Sequence, residues 1–166
     1  MVAYVFLHLH NTMAAAAEQE ALKRFFQATQ YAVVGASADR SKFGNKVFRW
    51  YQNYNLPVTP VHPKSSSIEG VPAVKELGEV MDYAANPVEA RTSVSVITPP
   101  AITLDLLKGH TSDERIVAFW LQPGAADGPV VQWIRSQPEE VQGRIVYSGP
   151  CILVSGEQLG RHNGRL

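Results

Sequence analysis

A chain of 166 residues has room for one ordinary domain and little more. Its apolar fraction of 45%, with 9% aromatics, excludes wholesale disorder. Fifteen basic residues balance fifteen acidic ones, so no global field invites nucleic acid, and any anion site must be local.

Val2 to Leu9 is apolar but too short to span a bilayer, and it lacks the basic flank of a secretory signal. Residues 1–12 are expected to be a disordered leader, with Met13 as an alternative start. Residues 13–27, rich in Ala, Glu and Gln, predict a helix whose Leu22, Phe25 and Phe26 pack inward. Tyr31 to Val34 is the first predicted strand, running into Gly35. The next helix is expected over Gly44 to Asn55, with Val47, Trp50, Tyr51 and Tyr54 forming one stripe. Val58 to Val61, bracketed by prolines, reads as a short strand at an edge. Lys64 to Gly70 reads as a Ser-rich loop, and Ala73 to Leu77 as a helical turn.

Ser93 to Thr98 is the third strand, stopped by Pro99-Pro100. A helix over Ile102 to Gly109 follows, with Leu106 and Leu107 toward the core. Ile116 to Leu121 is the fourth strand, Pro129 to Ser136 a helix opened by proline, and Arg144 to Tyr147 the fifth strand. One domain over residues 13–156 is expected, with 157–166 a flexible polar tail. This alternation predicts an α/β fold: a three-layer, Rossmann-like, doubly wound parallel sheet of five strands. Ligands of such sheets sit beyond the carboxyl ends of the strands.

The first strand exit runs Gly35-Ala36-Ser37 through Ser41, Lys42, Phe43, Gly44 and Asn45. One glycine permits a tight turn and the second a close ligand approach. The helix start offers N–H groups and a positive dipole end to a diphosphate. Ser37, Ser41 and Lys42 add donors. The alternative is an ordinary strand-to-helix connection. The spacing matches neither the G-x-G-x-x-G dinucleotide fingerprint nor the Walker loop. The second exit carries Val61-His62-Pro63-Lys64, where NAD sites usually place a ribose-binding carboxylate. A nearby cation instead favours a phosphorylated ribose: Lys64 suits the 3′-phosphate of coenzyme A or the 2′-phosphate of NADP. It also reads as a solvated surface lysine.

Taken together, Val34-Gly35-Ala36-Ser37, Lys42-Phe43-Gly44-Asn45 and Pro60-Val61-His62-Pro63-Lys64 resemble the small stand-alone CoA-binding proteins. These are related to the nucleotide-binding domain of the succinyl-CoA synthetase alpha subunit. The likeness continues at Ile68-Glu69-Gly70, Thr98-Pro99-Pro100, Trp120 to Ala125 and Gly149-Pro150-Cys151-Ile152. His62 stands where that family commonly has Asn. The resemblance implies that the Gly35 to Gly44 loop holds the diphosphate, with Lys42 its main cation. Pro60, His62, Pro63 and Lys64 would border the adenosine and its 3′-phosphate. Thr98, Pro99 and Pro100 would wall the adenine or pantetheine path, and Gln122, Pro123 and Gly124 the thiol-bearing end.

Cys151, the single cysteine, excludes an internal disulfide and suits a reducing, cytoplasmic setting. It reads either as a small buried hydrophobe or as a reactive thiol facing the coenzyme's sulfur. His8 and His10 have no further ligands in view, so no metal is expected. The expected function is binding of coenzyme A or a short acyl-CoA as a carrier, sensor or accessory module. The domains that complete an acyl-CoA synthetase are not expected in a chain of this length. The alternative is an NADP-linked oxidoreductase, which needs a poised acid such as Tyr31 or Tyr147. The expected partner is a small nucleotide ligand, with no membrane and no nucleic acid; the sequence leaves any protein partner open.

Overall fold

Parallel strand pairing organises the chain. The computed structural model describes residues 16–82 and 89–166; the expected leader, 1–12, lies outside them. Helix α1 covers 16–26, β1 is Gln30–Val34, α2 Phe43–Asn53, and β2 Val58–Val61. A small hairpin follows, β3 Ser67–Ile68 and β4 Val71–Pro72, then α3 Leu77–Asp82. The second half runs β5 Thr92–Val96, α4 Pro100–His110, β6 Ile116–Leu121, α5 Gly128–Arg135, α6 Glu139–Gln142, β7 Ile145–Val146 and α7 Ile152–His162.

Five strands form one parallel sheet in the order β2-β1-β5-β6-β7. The fold is therefore the expected three-layer α/β, Rossmann-like sheet. Residues of α1, α2 and α7 share one core with Tyr31, Val33 and Trp120. Residues of α3, α4 and α5 share the other with Val34, Val94 and Phe119. Successive side chains of a strand point to opposite faces, so β1 and β6 feed both cores. Two of the three polar side chains of β5, Thr-Ser-Val-Ser-Val, are paired in the middle of the sheet, while Ser93 Oγ has no partner among the described residues. Ser95 Oγ lies 2.7 Å from the buried Tyr51 hydroxyl, and Thr92 accepts from Gln30 Nε2 at 2.9 Å. Burial pushes the Tyr51 phenol well above its ordinary range. No helix among the described residues is long and apolar enough to cross a membrane.

Several boundaries differ from the sequence-based expectations. The expected tail is the largest correction, because α7 runs to His162. Gly156 of α7 lies so close to Trp50 that a Cβ there would stand 2.7 Å from the indole, and Leu159 and Leu166 join the same core. Polar composition hid this helix, since its buried contacts are made partly by glycines. The expected loop 64–70 contains β3, and Glu69 and Gly70 (φ 47° and 80°) make the tight link to β4. The expected turn at 73–77 is replaced by a parallel bridge from Val74 to Val61, with α3 beginning at Leu77. Helix α6 was not anticipated, and β7 is shorter than expected. On α4, Thr103 and Leu107 are buried, whereas Leu106 is half-buried.

Candidate functional site at the strand-exit rim

The five strand exits lie along one edge of the sheet, and the sheet order fixes which of them touch. Strand β1 lies between β2 and β5, with Val34 opposite both Val61 and Val96. A Cβ on Gly35 (φ 89°) would stand 3.2 Å from the Ile97 carbonyl carbon and 3.3 Å from the Thr98 nitrogen. The first and third exits are therefore in direct contact, at the point where the connections turn to opposite faces. This is the crevice position expected for a ligand in such a sheet.

Helix α2 opens there. Lys42 is its exposed N-cap and provides no side-chain cap, and no carboxylate lies in the first turn. The orphan N–H groups and the dipole thus favour an external anion. Gly44 has a different role from the close ligand approach expected of it. A Cβ at this position would overlap the Gly35 carbonyl oxygen and crowd Ala36 Cα. The missing side chain lets the start of α2 press against the strand exit.

Local bonds shape the intervening loop. Asp39 Oδ1 accepts from the Ser41 N–H at 2.9 Å and from its hydroxyl at 2.7 Å, and Ser37 Oγ accepts from the Asp39 N–H. Donation from Ser41 holds the Asp39 carboxyl below its usual range. The Ser41 hydroxyl expected as a ligand donor is therefore engaged internally. Asn45 is fully buried: its Nδ2 donates to Ser37 O and to Glu69 Oε1, each at 2.8 Å. Glu69 also pairs with Arg40 at 3.2 Å, so the β3–β4 hairpin is fastened to both the loop and the helix start.

At the second exit Pro60 is buried, and its carbonyl accepts from the Val74 N–H at 3.1 Å on the outer edge of β2. A proline that donates nothing fits this edge position. His62 Nδ1 accepts from the N–H groups of Lys64 at 3.1 Å and Ser65 at 3.0 Å. An asparagine carbonyl makes the same local turn. We expect His62→Asn to be close to neutral and His62→Ala to lose about 0.5–2 kcal/mol, as for a lost cap. Urea unfolding checks this, and equal losses in both variants would refute the turn's role.

At the third exit Thr98 Oγ1 lies 2.9 Å from Thr103 Oγ1, and Pro99 and Pro100 open α4 without an acidic first turn. At the fourth, Gln122 is buried and its Oε1 accepts from the Ile152 N–H at 2.9 Å. Exposed Pro123 and Gly124 (φ 92°) complete the turn. At the fifth, the Pro150 carbonyl accepts from Trp120 Nε1 at 3.0 Å, and Glu18 accepts from the Ser148 N–H and hydroxyl. Cys151 is half-buried at the N-cap of α7, more open than a core cysteine. A shallow concavity on α5 is lined by Gly128, Val131 and Arg135 among others, none of them a predicted site residue.

The family model described as a CoA binding domain matches residues 29–157. The chain belongs to this CoA binding domain family. Solved structures share the fold. A Thermus thermophilus protein is 26% identical with a TM-score of 0.63, the match covering 86% of this chain and 98% of that one. A conserved hypothetical protein from Pyrococcus furiosus is 24% identical with a TM-score of 0.58, covering 76% and 97%. A hypothetical protein from Pyrococcus horikoshii is 16% identical with a TM-score of 0.64, covering 86% and 91%. No curated protein matches.

Membership makes coenzyme A the ligand class of this CoA binding domain. Of the residues singled out in the sequence, the rim exposes Lys42, Pro63, Lys64, Pro99, Pro123 and Gly124, with Ser37, His62, Thr98 and Cys151 half-buried. Ala36, Gly44, Asn45, Pro60 and Gln122 are buried and shape the rim from beneath. Phe43 and Pro100 are half-buried at the first turns of α2 and α4. Two residues outside the predicted site, Arg40 and Glu69, link the loop of this CoA binding domain to the β3–β4 hairpin. The Glu69-Gly70 pair between Ile68 and Val71 was the available signal for the hairpin that carries one of them.

Proposed function

We propose that this domain binds coenzyme A, or a short acyl-CoA, along the strand-exit rim, as a carrier, sensor or accessory module. The carrying observation is the start of α2 beside Gly35, without a side-chain cap and with no carboxylate of its own first turn, and with exposed Lys42 at its N-cap. That combination suits a diphosphate, which takes several N–H donors and one ammonium at once. Lys64, on the neighbouring exit whose backbone His62 orders, suits the ribose 3′-phosphate. Thr98 to Pro100 would flank the path outward, with Gln122 to Gly124 toward the thiol end.

The reading is tested by calorimetric titration with CoA, dephospho-CoA, NADP and NAD. CoA is expected to bind best, and Lys64→Ala to shrink the preference for CoA over dephospho-CoA. Lys42→Ala should weaken CoA by about 1.5–3 kcal/mol, the range for hydrogen bonds to charged groups. Unchanged affinity in that variant would remove Lys42 from the site. Binding of NADP without CoA would replace the reading altogether.

A further inference from the structure

The single thiol of the chain stands on the same rim, beside a buried donor that lacks a partner. Cys151 is the N-cap of α7, an eleven-residue helix with no side-chain cap and no carboxylate in its first turn. The next N–H, on Ile152, donates to Gln122 Oε1 at 2.9 Å. Gln122 is 1% exposed, and its Nε2 has no hydrogen-bond partner among the described residues. Because the two amide atoms share one carbon, the Ile152 bond holds this unsatisfied donor at the start of α7, next to Cys151. A buried donor left alone is costly, and an acceptor from outside the chain would relieve it. An arm of secondary amides ending in a thiol has carbonyl acceptors for Nε2 and a sulfur for Cys151.

We propose that Cys151 captures the ligand's thiol covalently, as a reversible mixed disulfide formed by exchange with the disulfide of coenzyme A. This rests on the rim being the coenzyme site. The Cys151 thiol gives up its proton to solvent, and its thiolate attacks one sulfur of the coenzyme disulfide. The Cys151–S–S–CoA bond forms as the original S–S bond breaks. One CoA thiolate leaves and takes up a proton, so no other oxidant enters.

The test is intact-mass measurement of the full chain, without reductant, after exposure to CoA disulfide or to glutathione disulfide. One coenzyme per chain is expected, removed by dithiothreitol and absent in Cys151→Ser. It should form about tenfold or more faster than the glutathione adduct, because binding places the sulfur. Adenosine 3′,5′-bisphosphate, which has no thiol, should slow the coenzyme reaction and leave the glutathione reaction alone. No adduct, equal rates with both disulfides, or indifference to the bisphosphate would each overturn the proposal. Calorimetry of Cys151→Ser with CoA separates the two readings: retained affinity keeps the rim as the coenzyme site even if capture fails, and lost CoA binding in the unaltered chain removes both.

Discussion

Replacing Trp120 by alanine is expected to destabilise the domain by about 3–5 kcal/mol, the range for removing a large buried aromatic. The side chain is fully buried in β6, edge-on to Phe25 at 5.2 Å and to Phe26 at 6.0 Å. Both phenylalanines belong to α1, so the indole is the surface on which that helix is seated. Its Nε1 also holds the Pro150 carbonyl at 3.0 Å, which ties the start of α7 to the sheet. Domains of ordinary size have roughly 5–15 kcal/mol in total, so the loss is a large share of it. At about 2–4 °C per kcal/mol for chains of this size, the melting temperature should fall by roughly 6–20 °C. Trp120→Phe retains most of the ring and should lose less, chiefly the bond to Pro150, worth about 0.5–1.5 kcal/mol. Urea and thermal unfolding measure both. A loss below about 1 kcal/mol for the alanine variant would mean that α1 is not packed on Trp120.

Gly44→Ala should remove both stability and coenzyme affinity. The added methyl group meets only backbone, namely the carbonyl of Gly35 and the Cα of Ala36, so no flexible side chain can yield. Overpacking of this kind costs about 1–3 kcal/mol and sometimes more. Relief requires α2 to move off the end of β1, which displaces the N–H groups proposed to hold the diphosphate. Gly78 is the internal control: it lies in α3 with nothing within 4 Å of an added Cβ. Gly78→Ala should be neutral or gain about 0.5–1 kcal/mol from helix propensity, with CoA affinity unchanged. Unfolding curves and calorimetry on the pair check this. Equal behaviour of the two variants would show that Gly44 is not the close contact described.

Much of the fold was readable from local pattern. The runs Tyr31 to Val34, Val58 to Val61 and Ile116 to Leu121 are apolar or β-branched over the length of a strand, and each is a strand of the sheet. The stripe Val47, Trp50 and Tyr51 is buried on α2 as its spacing requires, and Tyr54, half-buried against Trp50 at its end, also donates to Glu157 of α7 at 2.8 Å. The end of the chain is helical where an apolar count predicts a polar tail. Helix α7 buries Gly156 and Gly160, which contribute little to an apolar count, yet their lack of a side chain is what admits Trp50 and Leu166.

The candidate site divides along the same line. Its punctuation of Gly, Pro, Ser and Lys at successive strand ends was visible in the chain, and with it the family likeness. Side-chain direction was not. Asn45 and Gln122 stand in the predicted site, yet Asn45 Nδ2 turns inward to Ser37 and Glu69, and Gln122 Oε1 to the Ile152 N–H.

By itself, then, the order of residues determined that five extended segments alternate with helices and roughly where each lies. Those properties depend on neighbours three or four positions away. Tertiary structure alone decided that Gly35 meets Ile97, that Glu69 locks the loop through Arg40, and that Cys151 stands beside an unsatisfied amide. Each of these contacts joins residues distant along the chain. Interstrand hydrogen bonding and burial select such pairs only when the whole sheet is assembled.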